Sequence, residues 1–286
     1  MSTLLMSVRK GDFTVCYWLS GILAVLLLVA TLGGLFLPGL YRDTPAMVIQ
    51  AHGQDLETLL FGLPLLVIAQ IFVMRGSDRA LLAWLGVLAF ILYTYMIFAF
   101  SAVFNEFFLL YVAIVSLSFF TLLLVLRNIN PEAIRTRFDE RTPVKVVSIY
   151  LLVVAAFFLL AWMKDIIPAL LSGKIPAVIV QSGIPTNPVY VLDLSVLLPL
   201  FVLASVWLWQ RRPWGYVLSA VFLIMAIALA LGILSMAFFL YLADQPMDVV
   251  PVVFTLLLVL VAIPLTVFYL AHLHGKGSKM VEVTVA

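Results

Sequence analysis

The chain alternates long apolar blocks with short polar stretches, and the blocks run continuously rather than residue by residue. A helix needs about 20 apolar residues to cross the hydrocarbon core of a bilayer. Membrane barrel strands are shorter and alternate in and out. Eight blocks meet the helical length, over 15–38, 56–74, 80–104, 107–126, 146–163, 190–209, 215–241 and 249–272. The predicted fold is an all-α integral membrane protein of eight transmembrane helices. Arg9 and Lys10 precede the first block as they would in a signal peptide. That block is too long for such a segment, and LGGLFLPGL carries no small-x-small cleavage signal, so an uncleaved first span is expected.

Charge in the connecting stretches gives an orientation. With the N-terminus in the cytoplasm, the cytoplasmic segments hold thirteen of the sixteen Lys and Arg residues, from Arg9 to Lys276 and Lys279. The outer segments hold Arg42, Lys164 and Lys174. This is a strong positive-inside bias, and it places both termini in the cytoplasm. Trp84, Trp207, Trp209, Trp214 and Tyr269 near inner ends, and Tyr41, Trp162 and Tyr241 near outer ends, read as aromatic belts.

Composition sharpens this picture. The 286 residues are 65% hydrophobic and 10% charged, against about 25% charged in soluble domains. The main partner is therefore the lipid bilayer. A net charge of +2 leaves no footprint for nucleic acid. One cysteine, Cys16, rules out an internal disulfide framework or a multi-cysteine metal site and reads as a small apolar residue.

The charged stretch 127–145, RNINPEAIRTRFDERTPVK with its flanks, divides the chain into a first four-helix half, 1–126, and a second, 146–286. DLETLL (55–60) and DLSVLL (193–198) echo each other. Each is followed by a proline in the same block, Pro64 or Pro199, and each block ends in basic residues. Both run from outside to inside, the pattern of two parallel repeats. Between Lys164 and Asp193 the prolines 168, 176, 185 and 188 predict short segments lying in the interface or folded over the outer mouth.

Three stretches, GQDLETLLFGLPLL, LYTYMIFAFSAVFNEFFLLYVA and NPVYVLDLSVLLPLFVLASVWLWQRRPWGY, resemble a group of prokaryotic multi-pass membrane proteins without an assigned function. The resemblance supplies no activity, substrate or site residue; a cell (inner) membrane location is expected from the spans and their orientation.

Candidate chemistry gathers in the outer leaflet. His52 and the pair His272 and His274 lie about a bilayer thickness apart, ~30 Å, so they cannot share a metal or haem; no cofactor and no metal site is expected. Asp55 opens the second block, where capping by the helix dipole explains an acid. His52 shares its face at i, i+3 if helix continues through Gly53. Thr44-Pro45 reads as the cap of a short interfacial helix. Asp193 lies more than a turn past the cap signal Asn187-Pro188, where a carboxylate needs a partner, water or a proton. Tyr93, Ser101 and Asn105 follow i, i+8, i+12 on the third block, and Tyr111 faces inward from the fourth. Asp55, Asp193, Tyr93, Asn105, Ser101, Tyr111 and His52 are the expected ligand-binding set, with no catalytic residue. The expected function is small-molecule or ion binding or transport through an acidic, Tyr-lined cavity open to the outside. The alternatives are a non-catalytic scaffold subunit of a larger membrane complex, or a homodimer, and a lipid-acting membrane enzyme.

Overall fold

The computed structural model describes residues 8–274; Lys276 and Lys279 lie outside the described residues. The chain is a multi-pass membrane protein, with eight helices among the described residues long and apolar enough to cross a membrane. In chain order the helices are α1 (Thr14–Phe36), α2 (Pro45–Met74), α3 (Asp78–Ser101), α4 (Phe108–Arg127), a short α5 (Pro131–Arg135), α6 (Val144–Ser172), a short α7 (Ala177–Ser182), α8 (Pro188–Trp209), α9 (Pro213–Leu242) and α10 (Val249–Ala271).

Burial explains the arrangement. Helices α3 and α9 bury about two-thirds of their most apolar stretch, and the other six spans about a third of theirs. A helix apolar on every side belongs either in the middle of a bundle or against lipid. Here α3 and α9 form the middle and pack on each other, through Gly86 against Ile224. Around α3 stand α1, α2 and α4; around α9 stand α8, α10 and, less closely, α6. The outward faces carry Trp18, Val25, Phe36, Leu109, Leu160 and Val267, all exposed and suited to acyl chains.

The halves meet unequally. Helix α2 presses against α9, where a Cβ on Gly53 would lie 2.6 Å from Met236 Cα, so only glycine permits the approach. The Gly53 carbonyl also accepts the Ser235 hydroxyl at 2.6 Å. On the other side α8 touches α3 only near its start. That difference leaves space between the halves.

Four expectations change. Helix α2 begins at Pro45, not 56, and it is continuous, so Asp55 lies ten residues inside it and does not cap it. Helix α3 ends at Ser101, so Asn105 stands in the connection to α4 rather than on the helical face of Tyr93. Helix α6 runs through Pro168 to Ser172; the loop begins at Gly173. Trp84 and Tyr269 are fully buried, with Trp84 donating to Ser20 Oγ at 3.1 Å and Tyr269 to the Tyr216 carbonyl at 3.1 Å, so they pack the core rather than line an interface.

The prolines in α2 and α8 sit just beyond π-turns, at Thr58–Gly62 and Asp193–Leu197. A proline inside a helix clashes with the carbonyl four residues earlier, here Leu60 for Pro64 and Ser195 for Pro199. Both carbonyls fall within the π-turn, whose wider winding moves them aside. The two prolines are in register with the two π-turns, and in that register Asp193 matches Thr58. Asp55 is three residues earlier, so the two aspartates do not occupy equivalent places.

Candidate functional site

A cavity of about 410 Å³ fills the space between the halves. Its walls come from α2, α3, α6, α8, α9 and α10, and it extends from the level of Tyr150 to that of Asp165 on α6. Fifteen residues of helix correspond to about 22 Å of depth. The deeper wall is apolar, with Val154, Phe158, Phe201, Leu229, Ile233 and Leu258. Toward the far end, away from residues 8–13 and 272–274, it gains Asp43, Gln50, Ser101, Asp165 and Asn187. Val178 of α7 also reaches it, and Gly183 just after α7 lies beside Thr44 at the start of α2. The 173–187 segment thus crosses from α6 toward α2 at the mouth.

Asp193 is the fixed point of this cavity. It opens the π-turn of α8 and is buried, yet both its oxygens are satisfied. Tyr93 of α3 donates to Oδ1 at 2.7 Å, and the Trp162 indole of α6 donates to Oδ2 at 2.8 Å. One carboxylate therefore ties three helices from both halves together. Beside it Tyr190 packs on Trp162, ring centroids 5.0 Å apart, and donates to Asp165 Oδ2 at 3.0 Å. Among the described residues the cavity is lined by three carboxylates, Asp43, Asp165 and Asp193, and by no Lys, Arg or His. A site of this kind attracts positive charge and repels anions.

Of the expected residues, Asp193, Tyr93 and Ser101 line this cavity. Ser101 donates to the Ile97 carbonyl of its own helix at 2.7 Å, the usual habit of serine in an apolar helix. Asp55, Asn105, Tyr111 and His52 gather elsewhere, behind Tyr41 and toward α1 and α4. Tyr41 donates to Asp55 Oδ2 at 2.6 Å, and its ring lies 5.8 Å from that of His52. Asn105 accepts from the Phe107 amide at 2.9 Å. Its amide nitrogen, and the hydroxyls of Tyr95 and Tyr111, are buried with no hydrogen-bond partner among the described residues. Burial first, and the Asp55 carboxylate second, hold the Tyr41 phenol above its ordinary range, so it remains a donor. Asp193 lines the cavity and Asp55 does not, so the two aspartates do not share a site.

Trp162 reads from the sequence as an interfacial anchor, and Gln54 and Glu57 are not among the expected binding residues. Their signal was spacing. Gln54, Glu57 and Thr58 stand at i, i+3 and i+4, one face of any helix long enough to contain them. Gln54 Nε2 donates to Glu57 Oε2 at 3.0 Å and to Thr58 Oγ1 at 3.3 Å, and Thr58 Oγ1 lies 3.3 Å from the same glutamate oxygen.

No protein-family model matches the chain, and no curated protein or solved structure matches it.

Proposed function

We propose that the protein binds a lipophilic organic cation in the cavity between its halves, with the positive head at Asp193, and moves it in or across the membrane. The observation that carries this reading is the lining: three carboxylates without a cation, set on an apolar wall that reaches deep between the spans. Pockets for small ligands commonly join an apolar wall to a few placed polar groups in this way. Asp193 is held by neutral donors, so its charge remains available to a ligand. The excess of Lys and Arg at the end holding residues 8–13 and 128–143 supports a cytoplasmic location for that end. The cavity then opens on the extracytoplasmic side of a cell membrane.

The test is binding of tetraphenylphosphonium to purified protein, with tetraphenylborate, of the same shape and opposite charge, as control. Saturable binding of the cation alone is expected. Asp193→Asn should weaken it by about 10-fold or more, since hydrogen bonds and contacts to a charged group are worth ~1.5–3 kcal/mol. Equal binding of the anion, or an unaffected Asp193→Asn variant, overturns the reading.

A further inference from the structure

A second carboxyl lies within hydrogen-bond contact of the cavity wall and is not part of the site at Asp193. Glu57 is buried mid-helix in α2. Its Oε2 has the Gln54 amide and the Thr58 hydroxyl, but its Oε1 has no partner among the described residues. Among the described residues, no Lys, Arg or His is ion-paired with it. Asp193 differs on this point, because donors occupy both of its oxygens. A charged carboxylate with a bare oxygen in an apolar interior is costly and requires a proton or a counter-charge.

Gln54 connects this group to the cavity. Its amide nitrogen faces Glu57 and Thr58, while its amide oxygen lies over Gly232 of α9, 2.8 Å from where a Cβ there would be. The same side chain lines the cavity. An ionised Glu57, together with the Thr58 hydroxyl, accepts from the Gln54 NH2 group and leaves the amide oxygen turned toward the cavity, where a cation is favoured. A protonated Glu57 is itself a donor. It holds the amide oxygen instead, and the NH2 group then faces the cavity and disfavours a cation.

We infer that Glu57 is a proton-binding site coupled through Gln54 to the cation cavity, so that a proton and an organic cation exclude each other. The exchange balances: one proton leaves the Glu57 carboxyl for water as one cation enters, and the charge held between the helices is unchanged. The titratable groups around Glu57 are Asp55 on its own helix and the Tyr95 phenol of α3, with Tyr41 and Tyr111 beyond Asp55. The facing parts of α1 and α9 present none. The coupling rests on the cavity reading above; the proton site does not.

Two measurements separate them. The first is pH-difference infrared spectroscopy on protein in lipid vesicles, from about pH 5 to about pH 9, with no ligand added. A protonated-carboxyl band that titrates in this range is expected in the wild type and in Asp193→Asn. It should vanish in Glu57→Gln and move in Glu57→Asp, which keeps a carboxyl if the amide variant fails to fold. The second is proton release into weak buffer when tetraphenylphosphonium is added. Release is expected from the wild type but not from Glu57→Gln, and Gly232→Ala, which displaces Gln54, should reduce it. A band unchanged in both Glu57 variants overturns the proton site. Equal release from Glu57→Gln overturns the coupling. A wild-type protein that ignores the probe fails the cavity reading and with it the coupling, while the infrared titration still decides Glu57.

Discussion

At the scale of single residues, the packing around Asp55 shows how a buried carboxyl is accommodated without a cation. The Tyr41 phenol comes from the α1–α2 connection, reaches in beside α1 and donates to Asp55 Oδ2. The approach is possible because position 34 of α1 is glycine: a side chain there would overlap the Asp55 carboxyl and sit 2.7 Å from the Tyr41 hydroxyl. Tyr41→Phe removes the donor and leaves the ring, so the expected loss is that of one buried unsatisfied acceptor, ~1–3 kcal/mol. It should appear as a lower thermal midpoint of unfolding in detergent. Gly34→Ala is expected to cost more than Tyr41→Phe, since both Asp55 and Tyr41 must move, and an unchanged midpoint for Gly34→Ala would refute this account of the packing.

At the scale of elements, the π-turn of α8 is what aims Asp193. A π-turn fits one extra residue into a helix, which turns the preceding segment by about 100° relative to an uninterrupted α-helix. Deleting Ser195 together with Pro199→Ala should straighten α8, since the deletion removes the extra residue and the alanine removes the need for it. The helical content should persist by circular dichroism, while Asp193 rotates away from Tyr93 and Trp162 and cation binding is lost. Binding at wild-type strength would show that the turn does not position the carboxylate. The spans themselves were legible in the sequence, because bilayer-length apolar blocks have few other solutions and basic stretches punctuate them. The π-turns were not: a proline predicts a disturbed helix but not whether it bends or takes up a residue. The start of α2 was misread for a related reason. Gly53, Gln54, Asp55 and Glu57 look like a solvated approach to a span, and it is tertiary packing that buries them: α9 covers Gly53 and Gln54, while Tyr41, and Gly34 of α1, cover Asp55. Asp193 and Tyr93 were each named as candidates, but one sequence does not reveal that they face each other across two helices 100 residues apart. Trp162 fits an interfacial belt equally well until its indole is seen on Asp193.

At the scale of the whole molecule, the segment between the halves acts as a clasp rather than a tether. Residues 129 and 138 form β-bridges with Arg9 and Leu273, so the stretch joins both terminal segments. Helix α5 lies against α9, and the Phe138 ring packs between Tyr216 and Tyr269 at 5.0 and 4.9 Å. Arg79 donates to the carbonyls of Ala271 and Leu273 at 3.0 Å. Two ion pairs in this clasp differ in exposure and hence in worth. Burial is the largest single influence on Asp139, which pairs with His274 at 3.2 Å, and raises its carboxyl, but the His274 hydrogen bond, the nearby His272 and the Arg141 amide together outweigh it and lower the carboxyl below the ordinary value. Its contribution is therefore complete above an ordinary carboxylate pKa of ~3.9 and disappears as pH falls through the lower folded value. Because the pair is exposed it should be worth under ~1 kcal/mol, and Asp139→Asn should remove only a shallow acid-side slope in the thermal midpoint. The Asp78–Arg137 pair is the deeper one, with side chains 7% and 12% exposed. Burial lowers the Arg137 pKa from its ordinary value, but a guanidinium remains charged across the usual range. Arg137→Ala strands the Asp78 carboxylate at the buried start of α3, and removing one partner of a buried pair typically costs ~3–5 kcal/mol. Most of that cost comes from the stranded charge rather than from the lost attraction. Asp78→Asn in the Arg137→Ala background should therefore recover a large part of the stability, measured as the thermal midpoint in detergent. Additive losses in the double variant would mean that the two side chains support the clasp independently, and that the pair does not lock α3 to the segment joining the halves.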